Sequence, residues 1–183
     1  MSKQIGLLKI LKEQFTFGFT GRVNALLGKN DQYLGAVFQK EGQIIHSEYQ
    51  GIAGKKALYK MIFDDIDDEI ELKFLIEPEI ISTNLQTFEY TFDQLYERTQ
   101  KRYPLYERTK KYRPPDSLRL EVNSSFISDG EETLPEEFDI LCKVVESSQV
   151  GAIYLKSKLY DYEITEYLVT LRKKKALKVI GPR

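Results

Sequence analysis

Apolar residues recur first at a helical spacing and then at a strand spacing. In "QIGLLKILKE", Ile5, Leu8 and Leu11 lie three apart with Leu7 and Ile10 beside them, which predicts a short amphipathic helix. "FTGRVNALLG", "YLGAVFQKEG" and "QIIHSEYQG" are short β-type runs. Turn residues at Gly28–Asp31 and Lys40–Gly42 separate them, so an antiparallel meander is expected. "GKKALYKMIFDD" returns to the helical period, with Ala57, Leu58, Met61 and Ile62 on one stripe. The acidic residues Asp64, Asp65, Asp67 and Asp68 read as an exposed exit loop, since negative charge is unfavourable at a helix C-terminus. "EIELKFLIEPE" alternates Ile70, Leu72, Phe74 and Ile76 with Glu69, Glu71 and Lys73, the pattern of a strand with one wet face.

Beyond Pro78 the pattern turns helical again. Ser82 or Thr83 is the expected cap, and Phe88, Phe92, Leu95, Thr99 and Tyr103 follow at three- or four-residue steps. Pro104 interrupts them, so two helices meeting near Tyr103–Pro104 are expected rather than one rod. "LRLEV" reads as a strand and "ISDGEET" as a loop. In the tail, Leu134, Phe138, Leu141, Cys142 and Val145 form one predicted stripe. Val150, Ile153, Leu155 and Leu159 form a second, and Ile164, Tyr167, Leu168 and Leu171 a third, before a short strand in "ALKVIG". The fold class is therefore α+β. An antiparallel sheet with packed helices occupies 1–82, a helical connector 83–117, and a winged-helix-like module 118–183.

The first half resembles the PATAN-type regulatory domain of bacteria, on Gly21, Gly42, Ile45–His46, Gly51, Gly54, Ala57, Leu58 and Tyr59, with the helices and tail matching the usual continuation. The resemblance implies a regulatory protein that works through protein partners, in motility, surface behaviour or cell polarity, with pilus-motor components among the candidates. Residues 1–183 leave no room for a phosphoacceptor receiver domain, so input is expected from a partner, a ligand or expression level.

Charge changes this picture only locally. The net charge of −1 provides no global field for DNA or an anionic membrane. Residues 83–117 alone have a basic excess, seven Lys/Arg against five Asp/Glu. One cysteine and one histidine exclude a disulfide framework and a Cys/His zinc site. The N-terminus lacks a signal-peptide core and no apolar run is long enough to span a bilayer, so a cytoplasmic location without membrane insertion is expected.

Candidate chemistry is thin. His46 and Ser47 are neighbours on a strand and point to opposite faces, so they cannot form a dyad. "GIAGKKAL" fails P-loop spacing, and "DDIDDEIE" lacks the alternation and glycine of a calcium loop. Cys142, on an apolar stripe, reads as a buried inert thiol. No catalytic residue, metal or cofactor is assigned, and a non-enzymatic regulator or adaptor is the expected function. A DNA-binding regulator using the tail is the alternative. Nucleic acid is disfavoured, because the last helix opens on Asp161, Glu163 and Glu166.

One stretch invites a binding role. "LYERT" occurs at 95–99 and again at 105–109, amid four tyrosines and seven Lys/Arg between Tyr96 and Arg113. A ten-residue offset leaves the two copies about 80° out of phase on a helix. Glu97–Lys101 and Glu107–Lys111 have the spacing of ion pairs on a wet face. Tyr96, Arg98, Arg102, Tyr103, Tyr106 and Arg108 remain, of the types enriched where proteins meet. Domain-joining packing, partner docking and nucleic-acid contact are all open for them.

Overall fold

The computed structural model describes residues 6–181 and divides into two compact units, Met1–Tyr103 and Pro104–Arg183. Ile5, assigned above to the first helix, lies outside the described residues.

The first unit is an α+β body. Helix α1 (Leu7–Thr16) buries Leu7, Ile10 and Leu11. Strands β1 (Gly21–Leu27), β2 (Gln32–Lys40) and β3 (Gln43–Tyr49) form the expected meander. A two-residue strand β4 (Ile52–Ala53), helix α2 (Lys55–Asp67) and strand β5 (Leu72–Pro78) follow. The sheet is antiparallel in the order β4-β3-β2-β1-β5. The β2–β3 turn is tight because Glu41 and Gly42 both take positive φ, 51° and 81°. A Cβ on Gly42 would come 2.7 Å from the Phe15 carbonyl oxygen, so glycine is needed twice over there. At Gly54, φ is 77° and ψ −157°, a conformation that swings the chain from β4 into α2. Helix α2 packs its Ala57, Leu58, Met61 and Ile62 stripe inward and lies against β3 and β4.

Most of the acidic cluster is not an exit loop. Asp64, Asp65 and Asp67 belong to the last turn of α2, and Asp68 alone lies past it, exposed and in the left-handed conformation (φ 54°). Each of the three in the helix is held by a partner that offsets the unfavourable helix dipole. Lys60 lies 3.3 Å from Asp64, the Leu7 amide donates to Asp65 at 2.8 Å, and the Tyr103 hydroxyl donates to Asp67 at 2.7 Å. Asp65 thereby supplies the carboxylate that α1 lacks at its own N-terminus.

After β5 the chain makes a short 3₁₀ turn at Thr83–Leu85. Ile81 and half-buried Leu85 pack with Ala36, Phe38 and Ile45 on one sheet face, and Tyr90 bridges to Ile44. The next helix, α3, runs Phe92–Lys110. Its cap is Thr91, not Ser82 or Thr83. The Thr91 hydroxyl accepts from Gln94 N–H at 3.2 Å and the Gln94 side chain accepts from Thr91 N–H at 3.2 Å, a reciprocal capping box. Phe88 lies before the helix. The expected break at Pro104 does not occur, and the proline sits within α3. The carbonyl left without its donor belongs to Gln100, which is exposed, so water can take that bond.

The second unit has its own core. Strand β6 (Arg119–Val122) pairs antiparallel with β7 (Leu177–Ile180), and α4 (Ser124–Ser128), α5 (Pro135–Glu146), α6 (Val150–Lys156) and α7 (Asp161–Lys173) lie between. Leu120, Phe126, Ile140, Leu141, Val144, Val150, Ile153, Ile164, Leu168 and Leu171 are buried together. Three expectations change. Ile127 and Ser128 of "ISDGEET" lie in α4 rather than a loop. The α5 stripe is rotated: Leu134, Phe138 and Val145 are exposed, while Glu137, Ile140, Leu141 and Val144 face inward and Cys142 is half-buried. Burial of Ile140, Leu141 and Val144 fixes this face, and the buried glutamate is satisfied on it: its carboxylate closes the α5 capping box at Leu134 N–H (2.9 Å) and meets Lys174 at 2.8 Å. Leu155, assigned to the α6 stripe, is also exposed. Among the described residues no helix is long and apolar enough to cross a membrane.

Candidate partner-binding surface

In the first unit, α3 is anchored by Phe92, Leu95 and Thr99, all buried, with the Thr99 hydroxyl donating to the Leu95 carbonyl at 2.8 Å. Around this stripe the aromatic and guanidinium groups are turned onto neighbouring rings. Tyr96, 47 % exposed, stacks on Phe92 with centroids 5.9 Å apart. The Arg98 guanidinium lies 5.0 Å from the Tyr90 ring centre, and Lys55 approaches the same ring at 5.4 Å. Arg102 covers Tyr59 at 4.9 Å. Tyr103 packs its ring against Phe63 at 5.6 Å while its hydroxyl holds Asp67. At 100° per residue, Tyr96 and Arg98 lie on opposite borders of the exposed side of α3. Between them the Glu97–Lys101 pair forms as its spacing predicts, at 2.6 Å. It is well exposed and adds little stability.

The remaining candidates belong to the second unit. Tyr106 is half-buried with Lys110 5.7 Å from its ring centre. Arg108 is exposed and reaches Glu166 at 3.6 Å. The two "LYERT" copies have different surroundings, as the phase argument requires: Leu95 is fully buried and Leu105 is exposed. The second expected ion pair does not form. Lys111 lies just past the end of α3, and its ammonium sits 5.0 Å from the Tyr112 ring centre. Arg113 is not among the candidates the sequence offers. Its guanidinium lies 3.8 Å from the Tyr154 ring centre and bonds Asp116 at 2.8 Å and Asp161 at 3.1 Å. Burial raises the Tyr154 phenol to about 12, against the opposing pull of Thr165 and Arg113. The only hint in the sequence was an arginine next to Pro114–Pro115.

The groups weighed for chemistry are held in structural bonds. His46 Nδ1 is 2.8 Å from the Thr87 hydroxyl, and the ring lies against Phe38 at 5.7 Å. Burial lowers its pKa, with Glu48 opposing. Ser47 points to the other face and donates to the Gly54 carbonyl at 2.8 Å. Among the described residues no group of three His, Cys, Asp or Glu is gathered to hold a metal. Of the residues carrying the family resemblance, Gly21 opens β1, Gly42 makes the β2–β3 turn, His46 lies in β3, and Gly51 and Gly54 flank β4. Ala57, Leu58 and Tyr59 face inward from α2, where they shape the fold. No family model, no curated protein and no solved structure matches the chain.

Proposed function

We propose that the protein is a non-enzymatic cytoplasmic regulator or adaptor that binds another protein across the exposed side of α3, between Tyr96 and Arg98. The observation that carries this reading is that both side chains are already held against rings, Tyr96 on Phe92 and Arg98 on Tyr90, while they stay open to solvent. Binding through pre-ordered Tyr and Arg side chains loses less conformational entropy than binding through free ones. Arg102 and Tyr103 serve this surface from beneath, by fixing α3 to Tyr59, Phe63 and Asp67. The PATAN resemblance alone suggests the process, bacterial motility, surface behaviour or polarity, and a pilus-motor or polarity component as partner.

A second reading places the winged-helix-like second unit on DNA, because the short α4, the three helices α5, α6 and α7, and a two-stranded sheet enclose its core. Against it, the first turn of α7 carries Glu163, fixed to the Tyr160 amide at 2.9 Å, and Asp161, already paired with Arg113 at 3.1 Å, while its basic residues come at the far end. The test is affinity capture followed by calorimetry with the purified partner. Tyr96→Ala or Arg98→Glu weakens binding at least tenfold, and Arg108→Glu leaves it unchanged. Unaltered binding in the first two variants refutes the α3 surface. A salt-sensitive DNA mobility shift moves the function to the second reading.

A further inference from the structure

Strand β5 ends the five-stranded sheet, and among the described residues it pairs only with β1. The Gly28 amide donates to the Glu71 carbonyl at 2.7 Å, which sets the phase of the ladder: Glu71, Lys73, Leu75 and Glu77 turn their backbone groups to β1. Leu72, Phe74 and Ile76 then turn theirs outward to an open edge. Such an edge is a template for another strand, and proteins ordinarily blunt it with lysine, proline or charge. β5 carries such residues in Lys73, Glu77 and Pro78, yet Leu75 and Ile76 are 49 % and 39 % exposed, and Ile80 just beyond is 97 % exposed.

We infer that β5 pairs with β5 of a second copy of this chain, antiparallel about a two-fold axis at Leu75, extending the sheet to ten strands across two protomers. The charge pattern selects this partner and this register. With Leu75 opposite itself, Lys73 lies opposite Glu77 of the other copy, twice over, and Phe74 opposite Ile76. Leu72, Phe74 and Ile76 meet in the hydrogen-bonding phase, and Pro78, which has no N–H, falls at the end of the ladder. Shifting the axis to Phe74 sets Lys73 against Leu75 and Glu71 against Glu77. The charges that would repel an arbitrary strand are thus complementary to their own copy. Both are able to respond. Among the described residues Lys73 is engaged only with exposed Asp31, at 3.0 Å, and Glu77 uses a single oxygen for Arg22 and Asn24, leaving Oε1 for the second protomer. This surface is independent of α3.

The experiment is sedimentation equilibrium of the full chain, with folding checked by circular dichroism. The wild type is expected to form a dimer, and Leu75→Lys and Lys73→Glu each raise its dissociation constant at least tenfold. Glu77→Lys does the same alone, and mixing it with the Lys73→Glu chain restores the dimer as a heterodimer. Glu77 also holds Arg22 and Asn24, so if Glu77→Lys fails to fold, disulfide trapping decides. In a Cys142→Ser background, Leu75→Cys cross-links on mild oxidation, because its Cα atoms lie about 4.5 Å apart across the axis. Lys73→Cys does not, its copies being separated by roughly four residues of strand. A monomer at millimolar concentration, a dimer that survives Leu75→Lys and Lys73→Glu, or no cross-link at position 75 overturns the inference.

Discussion

Replacing Glu137 tests the account of the second unit most directly. Its side chain is 1 % exposed, yet the residue is charged. Burial opposes ionisation, but the Lys174 ammonium at 2.8 Å and the Leu134 amide at 2.9 Å hold its pKa below the usual 4.5. Glu137→Ala removes a charge-assisted hydrogen bond and a helix cap, and part of that loss is returned as relief from desolvation. Loss of a cap costs roughly 1 kcal/mol, and a bond to a charged group about 1.5–3 kcal/mol. Because the half-exposed Lys174 can regain water, the net expectation is about 2 kcal/mol. In a unit of this size that lowers Tm by roughly 8–16 °C. Glu137→Gln keeps the shape and an acceptor for Leu134, and is expected to cost about half as much. The assay is urea and thermal unfolding of the full chain, with Lys174→Met completing a double-mutant cycle. The sign with pH follows from the lowered pKa. The contribution is complete above pH 4.5 and is lost as pH falls through the native pKa, so wild type and Glu137→Gln converge in acid. A Glu137→Gln protein as stable as the wild type at pH 7, or a gap that widens in acid, refutes the reasoning.

His46 titrates with the opposite polarity. Its native pKa lies below 6.5, so the unfolded chain takes up protons first and stability falls as pH drops from 7 through 6.5; His46→Gln flattens that part of a Tm-against-pH profile. Pro104→Ala restores an amide donor to the Gln100 carbonyl in α3 and removes the ring clash, so the protein gains about 1–3 kcal/mol in urea unfolding, and a loss would contradict a helix that passes through this position. Thr91→Ala removes the α3 cap and lowers stability by about 1 kcal/mol, while Ser82→Ala, whose hydroxyl meets only the Asn84 amide at 3.4 Å, changes it little.

The α3 cap shows how a legible signal was passed over. Thr91 and Gln94 are a Thr-x-x-Gln box directly before an apolar run, but Phe88 extended the helical period backwards and drew the start upstream. Pro104 reads as a break, because sequence alone does not show how the carbonyl four residues earlier is satisfied. The six candidate docking residues were all identifiable by type. Their split between solvent and core was not, since Tyr59, Phe63 and Asp67, which receive Arg102 and Tyr103, lie more than thirty residues away in the chain.

By itself the sequence determined what depends on neighbours along the chain. This covers the meander and its Glu41–Gly42 turn, the inward stripe of α2, the opposed directions of His46 and Ser47, and the Glu97–Lys101 pair, all following from periods of 2 and 3.6 and from local backbone limits. Only tertiary structure decided which charges are buried and which apolar groups are left out. Asp65 caps a helix 58 residues away, Glu137 is met by Lys174 37 residues on while its neighbour Phe138 faces water, and β5 is an edge because, among the described residues, it pairs with β1 alone. A buried charge needs a partner, and the chain brings that partner from a distance that no local pattern encodes.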